Sequence, residues 1–154
     1  MDTSNKHKPK ILVIDDDYTA TELFRILLEP ANYTVLTANS GEQGLELIQQ
    51  SAPDLVILDL LMPGMDGWQT CTEIRKFSHI PIIIISVITA SDVIAKALNL
   101  GADEYLPKPV SPNMLIASIN NLLRRANSEK LTRSKSALGE LTNTSNHIPL
   151  NHLV

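Results

Sequence analysis

At 154 residues, 44% hydrophobic and 19% charged, the chain is long enough for one domain with a sizeable core and has a globular balance. A net charge of −4 argues against a surface built mainly to hold nucleic acid. One cysteine, Cys71, excludes an internal disulfide and a Cys-based zinc site, and the four histidines have no ligand spacing.

Residues 1–9 are polar and lack the apolar stretch of a signal peptide, which predicts a short N-terminal arm. Lys10–Ile14 is an apolar run with β-branched members, read as a buried strand. It ends in Asp15-Asp16-Asp17. A helix follows over Thr19–Glu29, with Leu23, Phe24, Ile26 and Leu27 toward the core, and Pro30 stops it. Tyr33–Ala38 reads as a second strand. Ser40 with Gln43 forms a capping box that opens a helix over Glu42–Gln50, with Leu45 and Ile48 inward.

Leu55–Leu58 is another buried strand, and it too ends in a carboxylate, Asp59. The turn-rich run from Leu60 to Gly67 leads into a helix over Gly67–Phe77, with Asp66 and Gly67 serving the turn. Pro81–Ile85 is apolar at every position from Ile82, as expected of a central parallel strand buried on both faces. This apolar run is far too short to span a membrane, so a cytoplasmic chain without membrane insertion is expected. A helix over Asp92–Leu100 ends at Gly101, a short strand covers Glu104–Leu106, and Ser111-Pro112 starts a fifth helix ending near Ala126. Residues 127–154 turn to Ser, Thr and Asn with scattered Leu; Leu131, Leu138 and Leu141 could extend a helix weakly, but the stretch reads as a tail or linker stump.

Five strands alternating with five helices imply an α/β fold, a parallel sheet with helices on both faces. In such sheets ligands sit outside the carboxyl ends of the strands. If the first and third strands are neighbours, Asp15, Asp16 and Asp59 crowd one edge. Like charges that close repel unless a cation sits among them. The oxygen-only set suits a hard divalent ion, Mg2+. Asp is also a preferred helix N-cap, which alone would explain one such residue but not two clusters. Ser86 and Lys108 stand at the ends of the last two strands, with Tyr105 three residues before Lys108.

The combination resembles the receiver domain of two-component response regulators, chemotaxis-regulator-like, over residues 10–126. The resemblance rests on the acidic pair Asp15-Asp16, on Asp59 followed by Met62-Pro63-Gly64-Met65-Asp66-Gly67, on the hydroxyl of Ser86, on Gly101-Ala102-Asp103-Glu104-Tyr105 and on Lys108-Pro109. It implies a flavodoxin-like sheet of order 2-1-3-4-5 and a phosphoacceptor switch. Asp59 would receive a phosphoryl group from a histidine kinase or a histidine phosphotransfer protein. Mg2+ would be held by Asp16, Asp59 and the carbonyl of Leu61, with Asp15 acting directly or through water. Lys108 and Ser86 would contact the phosphoryl group. Ser86 and Tyr105 would carry the switch to the surface of the fourth helix, fifth strand and fifth helix, and so to an output protein or a phosphorylation-dependent dimer. The Lys108-Pro109 bond is expected to be cis.

Such a chain gains and loses its own phosphate and turns over no separate substrate. It binds no organic cofactor and no nucleic acid directly. The alternative is a receiver-like interaction module that works without phosphorylation, against which the retention of Asp16, Asp59 and Lys108 counts. An aspartyl phosphatase usually has a second acid two residues after the nucleophile, where this chain has Leu61. A flavodoxin-like nucleotide binder needs a glycine-rich phosphate loop where this chain has three acids. Departures from the family pattern are Val87 in place of a small residue, Val110 in place of Phe, and no recognisable DNA-binding or enzymatic domain after Ala126.

Overall fold

The computed structural model describes residues 7–143; the ends expected to form an N-terminal arm and a tail lie partly outside that range. The strands are β1 (Lys10–Ile14), β2 (Thr34–Ala38), β3 (Leu55–Asp59), β4 (Ile82–Ser86) and β5 (Glu104–Pro107). The helices are α1 (Tyr18–Leu28), α2 (Gly41–Ser51), α3 (Gly67–Arg75), α4 (Ser91–Asn99) and α5 (Pro112–Asn143). All strand pairs are parallel, in the order β2-β1-β3-β4-β5.

Strand residues alternate between two faces, so each strand feeds two cores. Ile11, Val13, Ile57, Ile83 and Ile85 pack with Phe24 and Leu28 of α1 and Leu115, Ile119 and Leu122 of α5. Leu12, Ile14, Val56, Leu58, Ile82 and Ile84 pack with Ile48 of α2, Ile74 of α3 and Ala97 of α4. This double burial is why β3 and β4 are apolar without alternation.

Two expectations need correction. In α1 the buried residues are Thr21, Phe24 and Leu28, while Leu23 and Ile26 are 61% and 69% exposed. The apolar arc of this helix is wide, with Leu23, Ile26 and Leu27 beside Phe24 and Leu28, so periodicity alone does not choose which part of it is buried. Arg25 helps to set it, donating to the carbonyl of Val35 at 3.0 Å and to Thr37 Oγ1 at 3.3 Å on β2. The fifth helix does not stop near Ala126 but continues to Asn143. Its polar extension contains no proline and carries Glu, Lys, Arg, Ala and Leu, all good helix formers. The chain divides into two compact units at the Leu123–Arg124 junction inside α5.

Local chemistry sets the other boundaries, though the capping box expected at Ser40 and Gln43 is only half made, because Gln43 Oε1 accepts from the Asn39 N–H instead of the Ser40 N–H. Ser40 Oγ caps α2 through the Gln43 N–H at 3.1 Å. Asp66 and Gln69 form a reciprocal capping box on α3. Gly67 allows α3 to approach the sheet, since a Cβ there would lie 2.3 Å from the carbonyl oxygen of Asp59. Asp54 ties the start of β3 to β1, its Oδ2 accepting from the Lys10 N–H at 2.8 Å.

Candidate functional site

Strand order reverses between β1 and β3, and side chains at their carboxyl ends face one crevice. Ile14 pairs with Leu58, so the residues that follow, Asp15 and Asp59, emerge side by side. Asp16 is exposed at the rim, whereas Asp15 and Asp59 are only 2% and 8% exposed. Asp15, Asp16 and Asp59 can each offer a carboxylate oxygen within 4.8 Å of the others. Three acids so close, two of them buried, need positive charge among them.

Lys108 supplies part of it. Its Nζ lies 3.1 Å from Asp15 Oδ2 and 3.5 Å from Asp59 Oδ2. Its backbone N–H donates to the Ser86 carbonyl at 2.9 Å, which joins the β5 end to the β4 end. The Lys108-Pro109 bond is cis, as expected. Burial opposes the Lys108 ammonium, but the carboxylates of Asp15 and Asp59 outweigh it and raise its pKa. Burial pushes the Asp59 carboxyl above its ordinary range; Lys108 pulls it back and Asp15 pushes it up again. A carboxylate disfavoured in this way gains from a cation or from a new bond to oxygen. The Leu61 N–H makes only a long contact, 3.4 Å, to Asp59 Oδ1.

Ser86 is fully buried at the end of β4. Its Oγ accepts from the Ile88 N–H at 3.3 Å. Half-buried Tyr105 donates its hydroxyl to the Ile88 carbonyl at 2.6 Å. The two residues expected to act as a switch therefore meet on one residue of the β4–α4 loop. Trp68 is a packing residue, half-buried, with Lys96 Nζ 4.5 Å from its ring centroid. His79 is exposed after α3.

One residue went unmarked by motif. Asn39 follows β2, and its Nδ2 donates to the Asp15 carbonyl at 2.9 Å. In sequence an Asn before Ser-Gly reads as a turn residue, and nothing local connects it to an acid 24 positions earlier.

Residues 11–120 match the response regulator receiver domain family. The chain belongs to that family. Receiver domains are signalling switches. Curated relatives include the probable transcriptional regulator ycf27 of Guillardia theta, 39% identical across 99% of this chain and 58% of that protein. The transcriptional regulatory protein BaeR of Escherichia coli is 34% identical across 86% of this chain and 55% of its own length. This chain thus spans little more than half of these relatives. A response regulator receiver domain from Clostridium thermocellum superimposes with a TM-score of 0.74 at 38% identity, covering 77% of this chain and 97% of that one. A CheY-like receiver domain protein from Methanospirillum hungatei gives 0.75 at 27% identity, over 80% and 99%. Among the described residues, no helix of this receiver chain is long and apolar enough to cross a membrane.

Proposed function

We propose that this receiver domain is a phosphoacceptor switch, with Asp59 as the residue that takes the phosphoryl group. The observation that carries the reading is the meeting of Asp15, Asp16 and Asp59 within 4.8 Å, with Lys108 Nζ against two of the three. An Asp59 oxygen attacks phosphorus in line. The phosphorus–nitrogen bond to the donor imidazole breaks, its electron pair stays on the ring, and the ring takes a proton from solvent. Such a transition state needs positioning and charge neutralisation above all.

The donor set is all oxygen and carries three negative charges, which fits Mg2+. Asp15, Asp16, Asp59 and the Leu61 carbonyl would hold it. Bound there, the ion supplies positive charge to the phosphoryl oxygens. Lys108 leaves its carboxylate partners for a phosphoryl oxygen, as a compact cation can. Ser86 Oγ turns from the Ile88 N–H to the same group, and Tyr105 follows through the Ile88 carbonyl. The altered surface of α4, β5 and the first part of α5 then reaches a partner. The donor is a histidine kinase or a histidine phosphotransfer protein, and the output is an unidentified protein or a second copy. The names of the relatives support an output in gene regulation.

The test is incubation with acetyl phosphate, with and without Mg2+, followed by intact-mass measurement. One phosphoryl group should appear only with Mg2+, and not in Asp59→Asn. Labelling of that variant at another residue would overturn the assignment. An unlabelled wild type would leave the interaction module that works without phosphate.

A further inference from the structure

We infer that Asn39 is a positioning residue for the acidic loop, and that through it the second strand sets the affinity of the Asp15-Asp16-Asp59 cluster for a divalent cation. The inference rests on the phosphoacceptor reading for its metal and on the hydrogen bonds alone for its geometry.

The β1–β2 ladder ends at the pair Ile14–Ala38. Beyond it the backbone has one more rung, the Asp15 N–H to the Ala38 carbonyl at 3.1 Å. The next backbone acceptor, the Asp15 carbonyl, is taken by the side chain of Asn39 at 2.9 Å. Asn39 therefore extends the ladder with an amide that mimics a backbone donor. The two peptide groups that flank the Asp15 Cα are thus each held, by consecutive residues of one segment. Its carbonyl belongs to the peptide plane that starts Asp16, so fixing it fixes the direction in which the exposed Asp16 leaves the sheet.

Asn39 is itself held. Its N–H donates to Gln43 Oε1 at 2.8 Å. The capping partner of α2 thus reaches past Ser40 to the residue before it, and the first turn of α2 holds the Asn39 backbone from which the side chain extends. On the far side of the loop, the Asp17 N–H donates to Asp15 Oδ1 at 3.0 Å, and Asp17 Oδ1 caps α1 through the Thr19 N–H at 2.9 Å. The three-acid loop is tied to α1 at one end and, through Asn39, to α2 at the other. Acids that repel one another spread apart unless the backbone holds them, and a held cluster loses less freedom when a cation arrives. Partners that orient ligand groups change metal affinity on the order of tenfold or more.

The experiment compares the wild type with Asn39→Ala, Gln43→Ala and Asn39→Asp. Mg2+ affinity is measured by calorimetry, and amide hydrogen exchange at Asp16 and Asp17 is measured without metal. Asn39→Ala should weaken Mg2+ binding by about tenfold and speed exchange at Asp17, with little change in the urea unfolding midpoint. Gln43→Ala should shift both in the same direction by less. Asn39→Asp sets an oxygen against the Asp15 carbonyl, so exchange should speed up even though the added charge attracts Mg2+. Unchanged affinity and unchanged exchange in Asn39→Ala would overturn the inference. A wild type that binds no Mg2+ would overturn the phosphoacceptor reading, with metal-free exchange still deciding the role of Asn39.

Discussion

The hydroxyl of Tyr105 donates to the Ile88 carbonyl at 2.6 Å, and the N–H of the same Ile88 donates to Ser86 Oγ at 3.3 Å. A buried hydroxyl at the end of β4 and an aromatic ring on β5 therefore share one residue. Whatever draws Ser86 Oγ away frees the Ile88 N–H and loosens the acceptor that holds the ring. Tyr105→Phe removes one hydrogen bond and should cost about 1 kcal/mol in urea unfolding. Its amide spectrum should shift at Ile88 without any phosphoryl analogue. In Ser86→Ala, adding beryllofluoride should leave the Tyr105 ring signals where they are, while in the wild type they move. Equal movement in both proteins would show that Ser86 does not transmit the change.

Lys108 is the cation against both buried acids, and its removal strands them. Lys108→Ala should lower stability at neutral pH by about 1–3 kcal/mol, less than for a fully buried pair because the lysine side chain is 27% exposed. A divalent ion no longer competes with an ammonium, so Mg2+ should raise the melting temperature of this variant more than that of the wild type. Calorimetric melts with and without Mg2+ provide the comparison. An equal Mg2+ effect in both proteins would mean that Lys108 and the metal do not share the acids.

Burial raises the pKa of Asp59, so between the ordinary aspartate value and the raised one the folded chain holds a proton that the unfolded chain has lost. In that window stability falls as pH rises, because deprotonation is easier in the unfolded state. Above the window the full penalty of a buried carboxylate is present; below it, none. Asp59→Asn should therefore stabilise the metal-free protein at neutral pH, on the order of 1 kcal/mol. The gain should disappear as pH drops below the ordinary aspartate range. Urea curves in chelator across this range measure it, and a loss of stability in the variant at neutral pH would contradict the prediction.

How far the sequence foretold the structure varied with the range of the interactions. The bounds expected for β1 are those observed, because a run such as Lys10–Ile14 carries its own signal of burial. β3 likewise ends where its carboxylate appears; Asp15 and Asp59 meet because they end neighbouring strands, and Lys108 reaches them from the end of β5, with β4 between. The buried face of α1 was not legible, since Leu23, Ile26 and Leu27 make an apolar stripe at helical spacing beside the one that Phe24 and Leu28 make. The choice lies with the sheet, through contacts such as Arg25 to Val35. Asn39 was invisible for the same reason: its partner is distant in sequence, and its chemistry is that of an ordinary turn. The extension of α5 gives only a weak signal in the sequence, because Ser, Thr and Asn stand between the helix formers beyond Ala126.

The lifetime of the phosphorylated state should be long. Hydrolysis of an aspartyl phosphate needs a water placed in line with the leaving oxygen. By the family resemblance, the side chains two residues after the acceptor and two after the switch hydroxyl border that path. Here these are Leu61, 52% exposed, and half-buried Ile88, with Val87 62% exposed beside it. None of the three side chains can donate to or accept from a water, so none can orient one. The Leu61 hydrogen bond to Asp59 is made by its backbone N–H, at 3.4 Å, so a change of the Leu61 side chain does not remove it. The Ile88 hydrogen bonds to Ser86 and Tyr105 are likewise made by its backbone. Leu61→Asn with Ile88→Glu should thus keep the site and add two polar groups at its mouth. Dephosphorylation of the isolated protein, followed by loss of the phosphoryl mass after the donor is removed, should be about a hundredfold faster in the double variant, the low end of the effect of one positioned proton-accepting group. Equal rates in the double variant and the parent would mean that the apolar rim does not govern access of water to the phosphoryl group.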